Sequence, residues 1–402
     1  MKRVGIDFTA AIRQAAGVGR HTRSLVTTML EKEPNGFEFV LFYAGGNLTN
    51  QQENYIRSLE IKYRPVVSFA RLPFSEPFLT RMWQRARVPF PLEWVGRFEN
   101  PFPFPNQLGK LDIVHFPDFV MSPHRSGKDI VTVHDLSFIV VSECADDKLR
   151  RYLSEAVPRA AKQAERIIVV SESIKSELVE RLKLPPEKIK VIYNGVSPKF
   201  HPLTDTQTLE EVRSKLGLPP QFALFVGTIE PRKNLARLVE AWRNIINTPQ
   251  GKGRKLVLVG RRGWKYEPIF RRITELKMQD EIVWLDFVSD KDLPALYNLA
   301  ELFVFPSLYE GFGIPPLEAL ACGTPALVSD NSALSEVFEG AAVMCNPLQV
   351  DSIAQGISQI LTSLDGDHKL VEELRFKGLE RAAQYTWENA AADTLELYQS
   401  LR

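Results

Sequence analysis

Short apolar runs alternate with stretches of helical spacing along the whole chain. Arg3–Phe8, Phe37–Tyr43, Asp112–His115, Ile130–His134, Arg166–Val170 and Lys190–Tyr193 read as buried strands in the first half. Phe222–Val226, Lys255–Val259, Ile282–Phe287, Leu302–Phe305, Ala326–Val328 and Ala342–Met344 do so in the second. Helical spacing covers Val18–Glu31, Asp147–Gln163, Glu172–Arg181, Leu235–Ile246, Asp292–Leu299, Ile353–Leu361 and Val371–Gln384. Such alternation predicts parallel α/β layers. The pattern breaks at Asn194–Thr206, where Asn194-Gly195, Pro198 and Pro202 mark an irregular link. The chain therefore divides into one domain over 1–198 and a second over 199–385, with a last helix in 386–402 placed to pack back on the first.

Composition narrows the class. At 402 residues the chain exceeds one ordinary core, and 50 Lys plus Arg against 49 Asp plus Glu leaves no global field for nucleic acid. The start, Met1–Phe8, runs directly into a strand without an apolar targeting segment, and no stretch reaches membrane-spanning length. Cys144, Cys322 and Cys345 lack ligand spacing, which suits a reduced, cytoplasmic protein. Residues 71–107 stand apart, being rich in Pro, Phe, Trp and Arg. They read as an insertion packing its aromatics on the first domain, with peripheral contact at the inner membrane face as the alternative.

The densest chemistry is Glu310-Gly-Phe-Gly-Ile-Pro-Pro-Leu-Glu318, a glycine turn between the strand Leu302–Phe305 and a helix. Backbone N–H groups and the helix dipole meet an anion at such a place. Pro315 and Pro316 cannot donate, so the donors fall to Gly311, Phe312, Gly313 and Ile314. Glu310 and Glu318 flank that anion site, where acids make sense if they hold the hydroxyls of a sugar and a ribose. A second anion feature is Val226-Gly-Thr-Ile-Glu-Pro-Arg-Lys-Asn234, also between a strand and a helix. Arg232 and Lys233 there oppose the helix dipole, which leaves a diphosphate as the better reason for them.

Other signals are thinner. Gly17-Val18-Gly19 precedes a helix but is not a dinucleotide fingerprint, since Thr22 holds the third glycine position. That disfavours a dehydrogenase. His134 and His115 end strands, where an α/β sheet meets its ligand. His134 suits sugar contact or proton transfer, and for His115 structural and functional readings stand level. Asp290-Lys-Asp292 and Asp365-Gly-Asp367 have a spacing able to hold a divalent ion, but both read as helix caps and turns, so no metal is expected.

In order along the chain, these motifs resemble a family 4 (group 1) retaining glycosyltransferase of the GT-B fold. Gly17-Val-Gly-Arg-His-Thr-Arg23 resembles the family's glycine loop, Thr132-Val-His-Asp-Leu136 its histidine strand and Gly227-Thr-Ile-Glu-Pro-Arg-Lys-Asn234 its diphosphate loop. Val170-Ser-Glu-Ser173 and Ile192-Tyr-Asn-Gly-Val196 match later first-domain signatures. Leu258–Trp264 and Phe287–Leu293 match base-side elements, and Glu310 to Glu318 the paired-glutamate motif. The resemblance implies two Rossmann-like domains facing a cleft, the first on the acceptor side and the second binding the nucleotide sugar. It implies that Glu310 holds the transferred sugar, Glu318 the ribose, and Arg232 and Lys233 the departing diphosphate. His134 would line the sugar pocket, Gly17 to Gly19 would approach the phosphates, and the base would lie near Gly260, Val288 and Leu293. Thr228 departs from the arginine many members carry after Gly227, which puts a third cationic contact in doubt.

The diphosphate loop resembles branches using GDP-mannose, so the expected reaction is mannosyl transfer from a nucleoside-diphosphate sugar to a glycan or lipid-linked acceptor. The expected course is front-face, with the leaving diphosphate taking the acceptor's proton and no cofactor involved. A UDP-sugar donor, an epimerase or phosphorylase of the same architecture, and a silent nucleotide-sugar-binding module are the rivals. The 71–107 segment loosely fits an apolar acceptor.

Overall fold

The computed structural model describes residues 1–14, 17–32, 34–64, 66–72, 110–121 and 127–401. The apolar runs become strands covered on both faces, which is why they lack alternation. In the first domain these are β1 (Lys2–Asp7), β2 (Phe37–Ala44), β3 (Val67–Leu72), β4 (Ile113–Phe116), β5 (Lys128–Val133), β6 (Arg166–Val169) and β7 (Ile189–Val191). They pair in parallel in the order β3-β2-β1-β4-β5-β6-β7. Val4 faces Ile113 and Phe39 faces Val67 across the ladders. The second domain holds β8 (Phe222–Val226), β9 (Lys255–Val259), β10 (Ile282–Leu285), β11 (Leu302–Phe305), β12 (Ala326–Ser329) and β13 (Val343–Cys345), in the parallel order β10-β9-β8-β11-β12-β13. The strand order reverses between β1 and β4 and between β8 and β11, and ligands of open α/β sheets bind outside such switch points.

Sequence patterning misses β3 and the helices Thr9–Arg13, Asn50–Lys62, Thr206–Leu216, Glu267–Glu275 and Ser332–Phe338. Several give little apolar signal. Asn50–Lys62 buries Ile56 and Leu59, and Thr206–Leu216 buries Val212. Their ends carry more information than their faces: Thr49 and Gln52 form a reciprocal capping box, and Asp205 caps the helix that starts where the irregular link ends.

The chain passes between the sheets twice, and the two crossings touch. Val196 bridges Thr386 and its N–H donates to the Tyr385 carbonyl at 3.0 Å. A Cβ on Gly195 would collide with the Thr386–Trp387 backbone, so only glycine lets the crossings lie this close. The last helix, Trp387–Ser400, then packs against Val18–Glu31 with Trp387, Ala391 and Tyr398 in the first domain's core. Lys2 closes that helix by donating to the carbonyls of Tyr398, Gln399 and Leu401 at 3.0, 2.8 and 2.7 Å, a favourable place for a cation. Beyond Leu72, the aromatic-basic segment 71–107 lies outside the described residues. No helix among the described residues is long and apolar enough to cross a membrane.

Candidate active site

The β8 and β11 loops meet at the second domain's switch point. After β8, the tight turn Pro231–Lys233 leads to Asn234, left-handed at φ 60°. The Asn234 amide donates to the carbonyls of Pro306 and Pro347 at 3.0 and 2.7 Å, locking this loop to those after β11 and β13. Lys233 Nζ lies 2.6 Å from Glu310 Oε1 and Arg232 Nη1 lies 2.8 Å from Glu310 Oε2. Arg232 also reaches Glu230 Oε1 at 2.9 Å and donates to the Tyr309 carbonyl at 2.9 Å.

These four charges sit largely out of water, so burial opposes each. It pulls the Arg232 guanidinium down, but Glu310 and Glu230 outweigh it and the group stays above its ordinary value. It pushes the Glu310 carboxyl up, yet Arg232 and Lys233 hold it below the usual range. Burial keeps Glu230 raised, and burial together with Arg232 lowers the Lys233 ammonium. Two cations and two acids thus neutralise one another within a single domain. Glu310 does not stand apart from the cations as a flanking acid; it is their direct partner.

The turn after Glu310 enters the helix Ile314–Ala321 through Gly313 at φ 103°. The N–H groups of Gly311, Phe312, Gly313 and Ile314 meet no acceptor among the described residues. They adjoin the cation pair, which makes the turn competent to hold an anion. Glu318, 2% exposed, lies on this helix and accepts from the Tyr297 hydroxyl at 2.9 Å and from Arg20 at 2.6 Å. Burial pushes its carboxyl up against the pull of Arg20 and Tyr297. Arg20 also pairs with Asp290 at 2.7 Å. Asp290 is therefore an interdomain partner and not the helix cap its spacing suggested; Asp292, at the cap position, binds Lys215 and Ser289 instead.

Beside Arg20, the first domain brings buried histidines. His134 donates Nε2–H to the Pro117 carbonyl at 2.7 Å, leaving Nδ1 with its lone pair, and burial lowers its pKa. Its ring meets that of His21 edge-on at 4.6 Å, and His21 bonds Asn194 at 2.7 Å. A Cβ on Gly311 would collide with the His134 carbonyl, so the paired-glutamate turn touches the histidine strand directly. His115 lies in the core, bonded to the Tyr398 hydroxyl at 2.6 Å and to Thr132 Oγ1 at 2.8 Å, a structural position.

Further bonds bridge the domains. Tyr309 accepts from the Leu136 N–H at 3.0 Å and donates to Glu177 at 2.7 Å. Glu336 accepts from the N–H groups of Glu172 and Ser173 at 2.9 Å each, at the start of a first-domain helix. Trp264 donates to the Cys144 carbonyl at 2.6 Å. Between the domains a cavity of about 650 Å³ is lined by residues including Asp7, Asp118, Asp135, Tyr152, Arg232 and Trp264.

The structure thus gathers His134, Gly227, Arg232, Lys233, Glu310, Glu318 and the turn at one cleft. Thr228 is exposed beside Gly227, and the Gly260 backbone packs on the Gly227 carbonyl. Val288 and Leu293 belong to the second domain's core. Gly17, at φ 58°, precedes Val18 and Gly19 at the start of the helix that carries Arg20. Sequence reasoning gives Arg20, Tyr297 and Tyr309 no role at this site and weighs Asp290 only as a metal ligand or helix cap. For Arg20 a signal exists: like Arg232 and Lys233, it is a cation at a helix start.

Known proteins resemble this chain in sequence and in fold. The family description "Glycosyltransferase Family 4" matches residues 15–200 and "Glycosyl transferases group 1" matches residues 208–375. The chain is 33% identical to O-antigen chain mannosyltransferase B of Escherichia coli, covering 96% of each protein. It is 30% identical to the serotype-specific mannosyltransferase WbdA of Escherichia coli over 68% of this chain and 34% of that one. The solved sucrose-phosphate synthase from Thermosynechococcus elongatus superposes with a TM-score of 0.74 at 20% identity, covering 100% of this chain and 99% of that one. That likeness is one of fold, and the two facing parallel sheets of GT-B are the ones found here.

Proposed function

The chain belongs to the group 1, family 4 glycosyltransferases, and from that premise we propose that it transfers mannose from GDP-mannose to a sugar hydroxyl of a growing or lipid-linked glycan, retaining the α configuration. Glycosyltransferase chemistry follows from the membership itself. The choice of mannose is supported by the near-full-length kinship with an O-antigen chain mannosyltransferase. The observation that carries the site is Arg232 and Lys233 beside the N–H groups of Gly311 to Ile314, which meet no acceptor among the described residues. Fixed donors in a site closed to water stabilise charge as it develops. In this reading the bond from the anomeric carbon to phosphate breaks, and the diphosphate's charge falls on those donors. The acceptor oxygen bonds the same face of the sugar, and its proton passes to the departing phosphate, so no metal is required. Glu318 receives ribose hydroxyls, and His134 Nδ1 accepts from a sugar hydroxyl.

A neutral saccharide acceptor is favoured by the interdomain cavity. Asp7, Asp118 and Asp135 suit hydroxyls, and Tyr152 and Trp264 suit the apolar face of a pyranose.

The test is incubation of the protein with GDP-mannose, UDP-glucose, UDP-galactose and UDP-N-acetylglucosamine, with EDTA, following nucleoside-diphosphate release. Release of GDP alone, lost in Arg232→Ala and Glu318→Ala, is the expected result. Release from a UDP-sugar would move the donor, free epimerised sugar would mean an epimerase, and a requirement for phosphate would mean a phosphorylase. Binding without release, even with a mannosyl oligosaccharide, would leave a silent module.

A further inference from the structure

Arg20 is the third residue of the helix Val18–Glu31, where a positive charge opposes the dipole. Two glycines fix where it leaves the backbone. Gly17 turns at φ 58°, and a Cβ on Gly19 would collide with the carbonyls of Ala10 and Gln14, so the helix starts tight against the segment before it. From there the guanidinium crosses the cleft. Nη1 lies 2.6 Å from Glu318 Oε1, and Nη2 lies 2.7 Å from Asp290 Oδ1. Asp290 follows β10 and Glu318 follows β11, so one first-domain side chain joins two separate elements of the second.

The chemistry of Glu318 gives the contact a purpose. Each carboxylate oxygen has two lone pairs, and here each spends one, on Arg20 and on the Tyr297 hydroxyl. One per oxygen remains for a ligand hydroxyl. Burial pushes the Glu318 carboxyl up and Arg20 pulls it back toward the carboxylate, the form in which both oxygens accept. Lys199 from the link, and Tyr297, Asp290 and Cys322 from the second domain, are the other titratable or charged groups acting on it. Only Arg20 among these is a cation in contact with it.

We propose that Arg20 is a positioning residue for the nucleoside end of the donor: on domain closure it holds the Glu318 side chain aimed at the ribose hydroxyls while tying down the Asp290 loop. The inference rests on the donor-site reading above. It makes ribose recognition depend on both domains, so an open molecule holds the nucleotide weakly and a closed one firmly.

The experiment is titration calorimetry of GDP, UDP and 2′-deoxy-GDP against the full chain, against Arg20→Ala and against Arg20→Lys, from pH 6 to 8. The unaltered protein is expected to prefer GDP over 2′-deoxy-GDP. Arg20→Ala should weaken GDP about ten- to hundredfold, abolish the preference for the 2′-hydroxyl, and lose further affinity, relative to the unaltered protein, as pH falls. Arg20→Lys should restore most of the affinity at pH 8. Unchanged GDP affinity in Arg20→Ala would overturn the proposal alone. So would a loss that keeps the 2′-hydroxyl preference and shows no added pH dependence, because Arg20 would then only prop the domains together. Failure of the unaltered protein to bind any nucleoside diphosphate would overturn the donor reading and the proposal with it.

Discussion

The two faces of the cleft solve opposite problems with buried polar groups. On the second-domain face, Arg232, Lys233, Glu230 and Glu310 are satisfied by pairing with one another. On the first-domain face stands His134, with His21 against it and His115 deeper in the core, and burial lowers all three imidazoles. A charged cluster answers a change of charge in its neighbourhood, because an incoming anion competes for partners already oriented. A neutral cluster can line a pocket for hydroxyls without attracting ions. The division suits a cleft in which one face takes the diphosphate and the other meets a sugar and its acceptor.

The sharpest way to break this comparison is to remove one charge from the paired face. Lys233→Met strands one oxygen of Glu310, and loss of a buried ion-pair partner costs about 3–5 kcal/mol where no second cation remains. Arg232 remains, so stability should fall by less. Turnover should fall much further, about 100- to 1000-fold, as when one donor to developing charge is lost. Nucleoside-diphosphate release measured beside thermal melting separates the two effects. Turnover within tenfold of the unaltered protein would mean that the cluster is structural. A smaller effect is expected where the faces touch. Gly311→Ala puts a methyl group into the His134 carbonyl. The donor face stays intact but the domains cannot seat, and misplacement on that scale costs about hundredfold in kcat/KM. Retained GDP binding with lost turnover would locate the fault in closure.

The sequence reveals these two faces unequally, for physical reasons. Strands such as Lys255–Val259 are legible because both sides of the sheet are covered and every position is apolar. β3 is an edge strand carrying Ser68 and an exposed Arg71, and it escapes that signal. The roles of Arg232 and Lys233 are legible because cations at a helix start conflict with local energetics and call for a distant partner. That the partner is Glu310 is not legible, since 77 residues separate it from Lys233. Arg20 obeys the same rule but is tied to Glu318 across 298 residues. His115 and His134 are legible only as residues near strand ends, because their hydrogen bonds to Tyr398 and Pro117 are made by tertiary structure alone, as is that of His21 to Asn194. Conflict with local rules is thus the signal a single sequence carries best.

The neutral face is sharpened by pH, and His115 gives the smallest and cleanest effect. Burial pushes its pKa down to about 3, with His134 adding to the shift. Its two ring nitrogens are satisfied in the neutral form, one donating to a hydroxyl and the other accepting from one, with Tyr398 and Thr132 as partners. The unfolded chain has its histidines at about 6.5. Between those values the unfolded state binds the extra proton, so stability rises with pH in this window and is lost as pH falls below about 6.5. For His115 the loss between pH 7 and pH 5 is about 2 kcal/mol. His115→Gln keeps a donor and an acceptor but cannot titrate. Urea unfolding at both pH values should therefore show the unaltered protein losing about 2 kcal/mol more than the variant over that interval. Equal losses would mean that His115 takes up its proton in the folded protein as readily as in the unfolded chain, and the core behind the first-domain face would then be charged at pH 5.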